Sequence, residues 1–347
     1  MSRLLDDVSY PADRRGVAAF TPDSLQRAFA SRSVPDLLSF DTPEAVVGVI
    51  RAMIEVGRED AALGRLYEGH VNALQLVCQF GDARQCAWAR EASERGVRIG
   101  VWNNDAHGDP LLWTGERLRG AKSFASGAGL LTHALVTTEA SDSKAVQMWI
   151  VKLDEQTSTT DRSWWNPVGM QRSETHIVSW NGATAPRAER LGGGGDYQTE
   201  PHFSGGALRF AAVQAGAVAG LHDRLVAELT SRDRADHPLQ RRRIAESFTD
   251  AQIAIDAVIR AAAAYRHEPS WIPRVDAARH IVLERAEAQI ARVQRAAGLG
   301  SLMHPHPLAT HLSDLSVYIR QPNPDGSLDR VAQGAIDETL SLDTSPC

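Results

Sequence analysis

Between Ala211 and Ala297 an apolar residue returns every three or four positions, in three successive runs, each closed by a stop. The first run is Ala211, Ala215, Val218, Leu221, Leu225 and Leu229, broken at Asp236-His237-Pro238. The second is Ile244, Phe248, Ala251, Ile255, Val258 and Ala262, followed by Pro269 and Pro273. The third runs through Val275, Ala278, Val282, Ala286, Ile290, Val293 and Ala297, and Gly298 ends it as a C-cap glycine would. That spacing is helical. A helix with one apolar stripe must bury it against a neighbour. With a shorter helix around Leu308–Ile319, the pattern predicts a C-terminal four-helix bundle over 200–335.

Upstream, the period changes. Arg98-Ile99-Gly100-Val101-Trp102, Leu131 to Thr138, Ala145 to Val151 and His176 to Trp180 are short and β-prone, with Gly, Asp, Asn and Ser between them. They predict a β domain over 97–190, closed by the flexible run Gly192 to Gly195. Residues 1–96 read as helices: Pro43 opens one, with Asp41 or Thr42 as its N-cap, and His70 to Phe80 lies in another that ends at Gly81. The expected class is mainly α with a β insert: a helical N-terminal domain, a barrel-like middle domain and a helical bundle. The acidic, Ser/Thr-rich stretch 336–347 is expected to be a disordered tail.

Composition narrows the partners. The formal charge is -6 over 347 residues, with Arg and Lys scattered among acids. That argues against a nucleic-acid or anionic-membrane surface. No apolar stretch reaches the ~18–20 residues of a membrane span. Cys78, Cys86 and Cys347 form no metal or redox pattern, and with no signal peptide in view they suit reduced thiols in the cytoplasm. His304-Pro305-His306 with His311 could suggest a metal, but the prolines hold the backbone extended and turn the imidazoles apart, so none is expected.

Six stretches, in order, resemble the acyl-CoA dehydrogenase family. Gly81 to Gln85 is similar to its GTxxQ turn, and Leu118 to Gly127 to its NGxKxWITN strand pair. Val168 to Thr175 resembles MGxRxSxT, and Ala183-Thr184-Ala185-Pro186 resembles VxVP. Gln214-Ala215-Gly216 is similar to the AAQAxG core of the first bundle helix. Pro307-Leu308 with Ser313-Asp314-Leu315 resembles the segment before the family's active-site loop.

The resemblance implies a flavin, FAD in most members, and a small-molecule substrate such as an acyl-CoA. It also implies a homodimer or homotetramer. Trp102 and Asn103 fall in the strand whose backbone touches the flavin ring, and Phe124 and Ser126 occupy the places of the family's ring-contacting Trp and Thr. Gly298 and Gly300 loosely match the glycine loop that approaches the dinucleotide of a neighbouring subunit.

The family removes an α proton with a carboxylate. Pro322 stands where most members keep that Glu, and Ala207 or Leu208, before Arg209, where others keep it. Asp236-His237 replaces an arginine that reaches the flavin pyrophosphate. No catalytic residue is therefore assigned. Asp325 reads as a turn residue in Pro324-Asp325-Gly326, and His311 as a helix-packing or solvent-facing side chain. The leading expectation is a flavin-dependent oxidoreductase acting on an acyl thioester or related small molecule. The alternatives are a catalytically degenerate partner subunit and a flavin-monooxygenase-like relative.

Overall fold

The computed structural model describes residues 18–342, apart from 33, 93, 140–144, 154–157, 182–187, 267–268 and 321–322. The VxVP-like stretch, Pro322 and Cys347 lie outside the described residues. Four helices come first: α1 (Pro22–Ala30), α2 (Pro43–Glu59), α3 (Ala61–Phe80) and α4 (Ala83–Arg90). Each starts on a side-chain cap. Thr42, rather than Asp41, accepts from Ala45 N, Asp60 accepts from Leu63 N, and Asp82 and Gln85 form a capping box. Gln85 also donates to the Arg190 carbonyl at 3.0 Å, so the GTxxQ-like turn ties α4 to the sheet.

The β region carries β1 (Ile99–Trp102), β2 (Leu112–Trp113), β3 (Leu118–Arg119), β4 (Ala121–Ala125), β5 (His133–Glu139), β6 (Val146–Lys152), β7 (Thr159–Asp161), β8 (His176–Ser179) and β9 (Ala188–Leu191). One sheet has the order β1-β5-β6-β9, with β1 parallel to β5 and the other pairs antiparallel. A second is β4-β8-β7, all antiparallel, and β2-β3 is a short ribbon. Ala134, Leu135 and Val136 on β5 and Met148 and Val151 on β6 are fully buried, so the first sheet is covered on both faces.

The helices then return as α5 (His202–Ser231), α6 (Pro238–Ala263), α7 (Ile272–Ala297), α8 (Pro307–Tyr318) and α9 (Pro324–Ile336). The three apolar runs become α5, α6 and α7. Two details differ from the expectation. Phe248 of the second run is 56% exposed, because α6 is apolar on two sides and its buried apolar face is Ala251, Ala254, Val258, Ala261 and Ala262. Asp325 is not in a turn: Asn323 caps α9, accepting from Gly326 N at 3.2 Å, and Asp325 sits in its first turn. There its charge suits the positive end of the helix. No described helix is long and apolar enough to cross a membrane.

The N-terminal helices and the bundle share one core. α2 lies on α5 at backbone contact, where a Cβ on Gly57 would stand 2.1 Å from the Val213 carbonyl oxygen and one on Gly216 2.1 Å from that of Ile54. The crossing is closed by Arg58, bidentate to Asp223 at 2.6 and 2.9 Å, and by Arg224, which donates to the last carbonyls of α2 at Arg58 and Glu59.

Candidate functional site

The site begins with a register shift. Lys122 on β4 faces Val178 on β8, yet Ala125 faces His176, so β4 carries an extra residue there. Phe124 is in this bulge with φ 52°, a left-handed conformation that costs a bulky residue of order 1–3 kcal/mol. The bulge throws its ring outward, leaving it 53% exposed. Trp164 meets it edge-on at 4.9 Å and Trp165 at 6.4 Å, so three rings form a ledge. Trp165 is pinned by donating to the Met170 carbonyl at 3.0 Å.

Beside the ledge, the Ser126 hydroxyl accepts from Thr175 at 2.9 Å and the Ser126 carbonyl accepts from Trp102 Nε1 at 3.0 Å. With its acceptor role filled, the Ser126 hydroxyl can turn its own proton toward a ligand. Trp102 is 1% exposed and backs the site from inside the core. Asn103 lies at the rim, its amide oxygen accepting from Thr137 at 2.9 Å. Lys122 holds this rim. It is fully buried and donates to the Asn103 carbonyl at 2.9 Å, Asp105 at 2.6 Å and Thr137 at 3.1 Å. Burial pushes its ammonium pKa down, while Asp105 pulls it back up.

The opposite wall joins two segments far apart in sequence, Val168 to Thr175 and α8. Met170 N donates to Asp314 of α8 at 2.6 Å, and Gly169 runs so close to α8 that a Cβ there would lie 1.9 Å from the Ser313 carbonyl oxygen. Arg172 is ion-paired with Asp60, the N-cap of α3, and lies 3.9 Å from Asp314. The ledge is thereby held against both α3 and α8.

Trp102, Asn103, Phe124 and Ser126 thus gather in one region. Gly298 and Gly300 sit elsewhere, where the turn after α7 packs on α7 and α8. Gly298 needs its φ of 80° to end the helix, and a Cβ on Gly300 would meet nothing within 4 Å. Of the two family base positions, the one on α5 falls on half-buried Ala207 or fully buried Leu208, both apolar, and residue 322 lies outside the described residues. A buried carboxylate, Glu68 on α3, lies 3.9 Å from Arg209 and is not among the residues to which the sequence points. Its only sequence signal is an acid among apolar residues on a helix face. Among the described residues no group of His, Cys, Asp and Glu could hold a metal.

No family model and no curated protein matches the chain. Solved structures do. TdsC from Paenibacillus sp. A11-2, in complex with FMN and indole, superposes with a TM-score of 0.78 at 15% identity, covering 92% of this chain and 91% of that one. Butyryl-CoA dehydrogenase from Megasphaera elsdenii gives 0.74 at 14% identity, over 92% and 91%. KijD3, in complex with FMN and a dTDP-linked amino keto sugar, gives 0.72 at 17% identity, over 94% and 89%. The chain has the acyl-CoA dehydrogenase fold, with N-terminal helices, a middle β region and a C-terminal helical bundle.

Proposed function

We propose that the protein is a flavin-dependent oxidoreductase acting on a small organic molecule, with FAD or FMN held at the β4 ledge. The observation that carries this reading is Phe124, a phenylalanine held half exposed in a strained bulge beside two tryptophans and a serine hydroxyl. Strain of that kind persists where the display of the side chain is used. A planar apolar ring suits the ledge, and a ring heteroatom suits the Ser126 proton. A bound flavin would supply two-electron redox chemistry. The chain would supply the apolar face from Phe124, a hydrogen bond from Ser126, and the rim at Asn103 held by Lys122.

The acyl thioester reading keeps the fold but has no carboxylate at Ala207 or Leu208. Those apolar residues favour the monooxygenase-like alternative, in keeping with TdsC, a dibenzothiophene monooxygenase solved with FMN. Purified protein titrated into FMN or FAD is expected to quench flavin fluorescence. Phe124→Gly is expected to weaken that binding about tenfold, from loss of roughly 1–1.5 kcal/mol of ring contact. It is expected to leave the flavin-free protein as stable as before or more so, since glycine adopts positive φ freely. Unchanged flavin affinity in the variant would remove Phe124 from the site. A protein that quenches neither flavin at saturating concentration would leave the partner-subunit reading in its place.

A further inference from the structure

Away from the ledge, α3 turns a polar stripe toward α5. Glu68, Asn72, Gln75 and Gln79 recur at three- and four-residue spacing on one helix face. Arg209 of α5 meets them and is only 3% exposed. Its guanidinium donates to Gln75 Oε1 at 2.8 Å and to Asn72 Oδ1 at 2.5 Å, with its central carbon 5.0 Å from the centre of the Phe40 ring. A guanidinium has five N–H donors, so these two bonds leave most of it unused. Its Nε makes no hydrogen bond among the described residues, and neither does Glu68 Oε1, 3.9 Å away.

The charges around Arg209 do not cancel. Glu68 is the buried acid, and it also binds Arg65 at 3.0 Å. Two arginines thus share one carboxylate, which leaves one positive charge in excess even with Glu68 ionised. Burial pushes the Glu68 carboxyl pKa up and holds the Arg209 guanidinium down to about 10, so the cluster is short of negative charge. Glu200 does not supply it, because it is turned to Ser204 N and Oγ at 3.0 and 2.8 Å. An opening reaches this cluster from the surface, lined by Arg209, Asn72, Gln75, Gln79, His202 and Phe40 among others. Asn72 Nδ2 makes no hydrogen bond among the described residues and adds a donor beside the guanidinium.

We propose that this opening is a binding site for a carboxylate, seated on the unused N–H donors of Arg209 and on Asn72 Nδ2. A planar carboxylate matches the guanidinium fork, and a buried cation in excess is the strongest reason for an anion to enter. The anion is either a free small acid or the carboxylate end of a larger molecule. The site does not depend on the flavin reading, and it is tested on flavin-free protein.

The experiment is thermal unfolding in sodium acetate and in sodium benzoate, each against sodium chloride at equal ionic strength, with calorimetric titration of the same anions. Wild type is expected to gain a few degrees in Tm at anion concentrations about tenfold above Kd. Response to acetate assigns a free small acid. Response to benzoate alone assigns the carboxylate end of a larger ligand. Asn72→Asp places a carboxylate beside Arg209 and is expected to lose the anion-dependent gain. Asn72→Leu removes the amide without adding charge, and is expected to weaken the titrated affinity about tenfold. No gain over chloride in wild type, or an equal gain in both variants, overturns the proposal. Flavin uptake is measured separately by fluorescence, so failure of one reading leaves the other standing.

Discussion

Gly216→Ala is expected to destabilise the protein by about 3 kcal/mol or more, although alanine is the better helix former. In an open helix interior the change would gain about 1 kcal/mol. Here the new Cβ would stand 2.1 Å from the Ile54 carbonyl oxygen and 2.8 Å from Arg58 N. Both are backbone atoms, so neither can swing aside, and α2 must move off α5. Gly57 and Gly220 face the same crossing, their Cβ atoms 2.1 and 2.4 Å from the carbonyl oxygens of Val213 and Arg58. The displacement therefore spreads along the contact and also strains the Arg58–Asp223 pair. Gly300→Ala is the control: nothing lies within 4 Å and its φ is not positive, so a change within about 0.5 kcal/mol is expected. Urea unfolding of the two variants reads the difference. Equal midpoints would mean that the helices do not meet at backbone distance.

The second large effect is on pH. His70 of α3 is fully buried, stacks on Phe29 at 4.6 Å, and accepts from Ile99 N through Nδ1 at 3.3 Å, joining α3 to β1. Burial lowers its pKa to about 3 from 6.5. The folded form thus binds its proton less readily than the unfolded chain. The stability His70 contributes is complete above pH 6.5 and is lost as pH falls from 6.5 toward 3. At about 1.4 kcal/mol per unit, that is on the order of 4 kcal/mol over the window. Wild type is therefore expected to lose roughly 2–3 kcal/mol between pH 6.5 and 4.5 through this residue. His70→Gln keeps an acceptor for Ile99 N and removes the titration. It should be less stable than wild type at pH 7 and lose less on acidification. Parallel pH profiles for the two proteins would contradict this.

Several pieces of the site were legible because their signals are local. The apolar runs from Ala211, Ile244 and Val275 mark α5, α6 and α7, since helical spacing is a property of neighbouring residues. The β-prone segments around Ile99, Leu135, Met148 and Val178 mark β1, β5, β6 and β8 for the same reason. Phe124 and Ser126 were found through a motif resemblance. Their spacing alone would have placed both on one strand face, and the bulge that separates an exposed ring from a buried hydroxyl is written in the pairing of β4 with β8. The start of α9 is ambiguous in the sequence, because Pro324-Asp325-Gly326 serves a turn or a helix start equally, and its cap, Asn323, takes a left-handed φ of 58°.

The sequence alone determined the type and order of the longer elements and the stops between the main bundle helices, because capping and periodicity act within a few residues. Tertiary structure decided which of those elements meet. Asp314 and Met170 are 144 positions apart, yet their hydrogen bond sets the wall of the ledge. Glu68 reads as an ordinary helix residue until α5 brings Arg209 against it, and Gly216 as a helix-weakening glycine until α2 crosses it. The physical reason is range. Hydrogen bonds, ion pairs and excluded volume act over a few ångströms in space, whatever the separation along the chain.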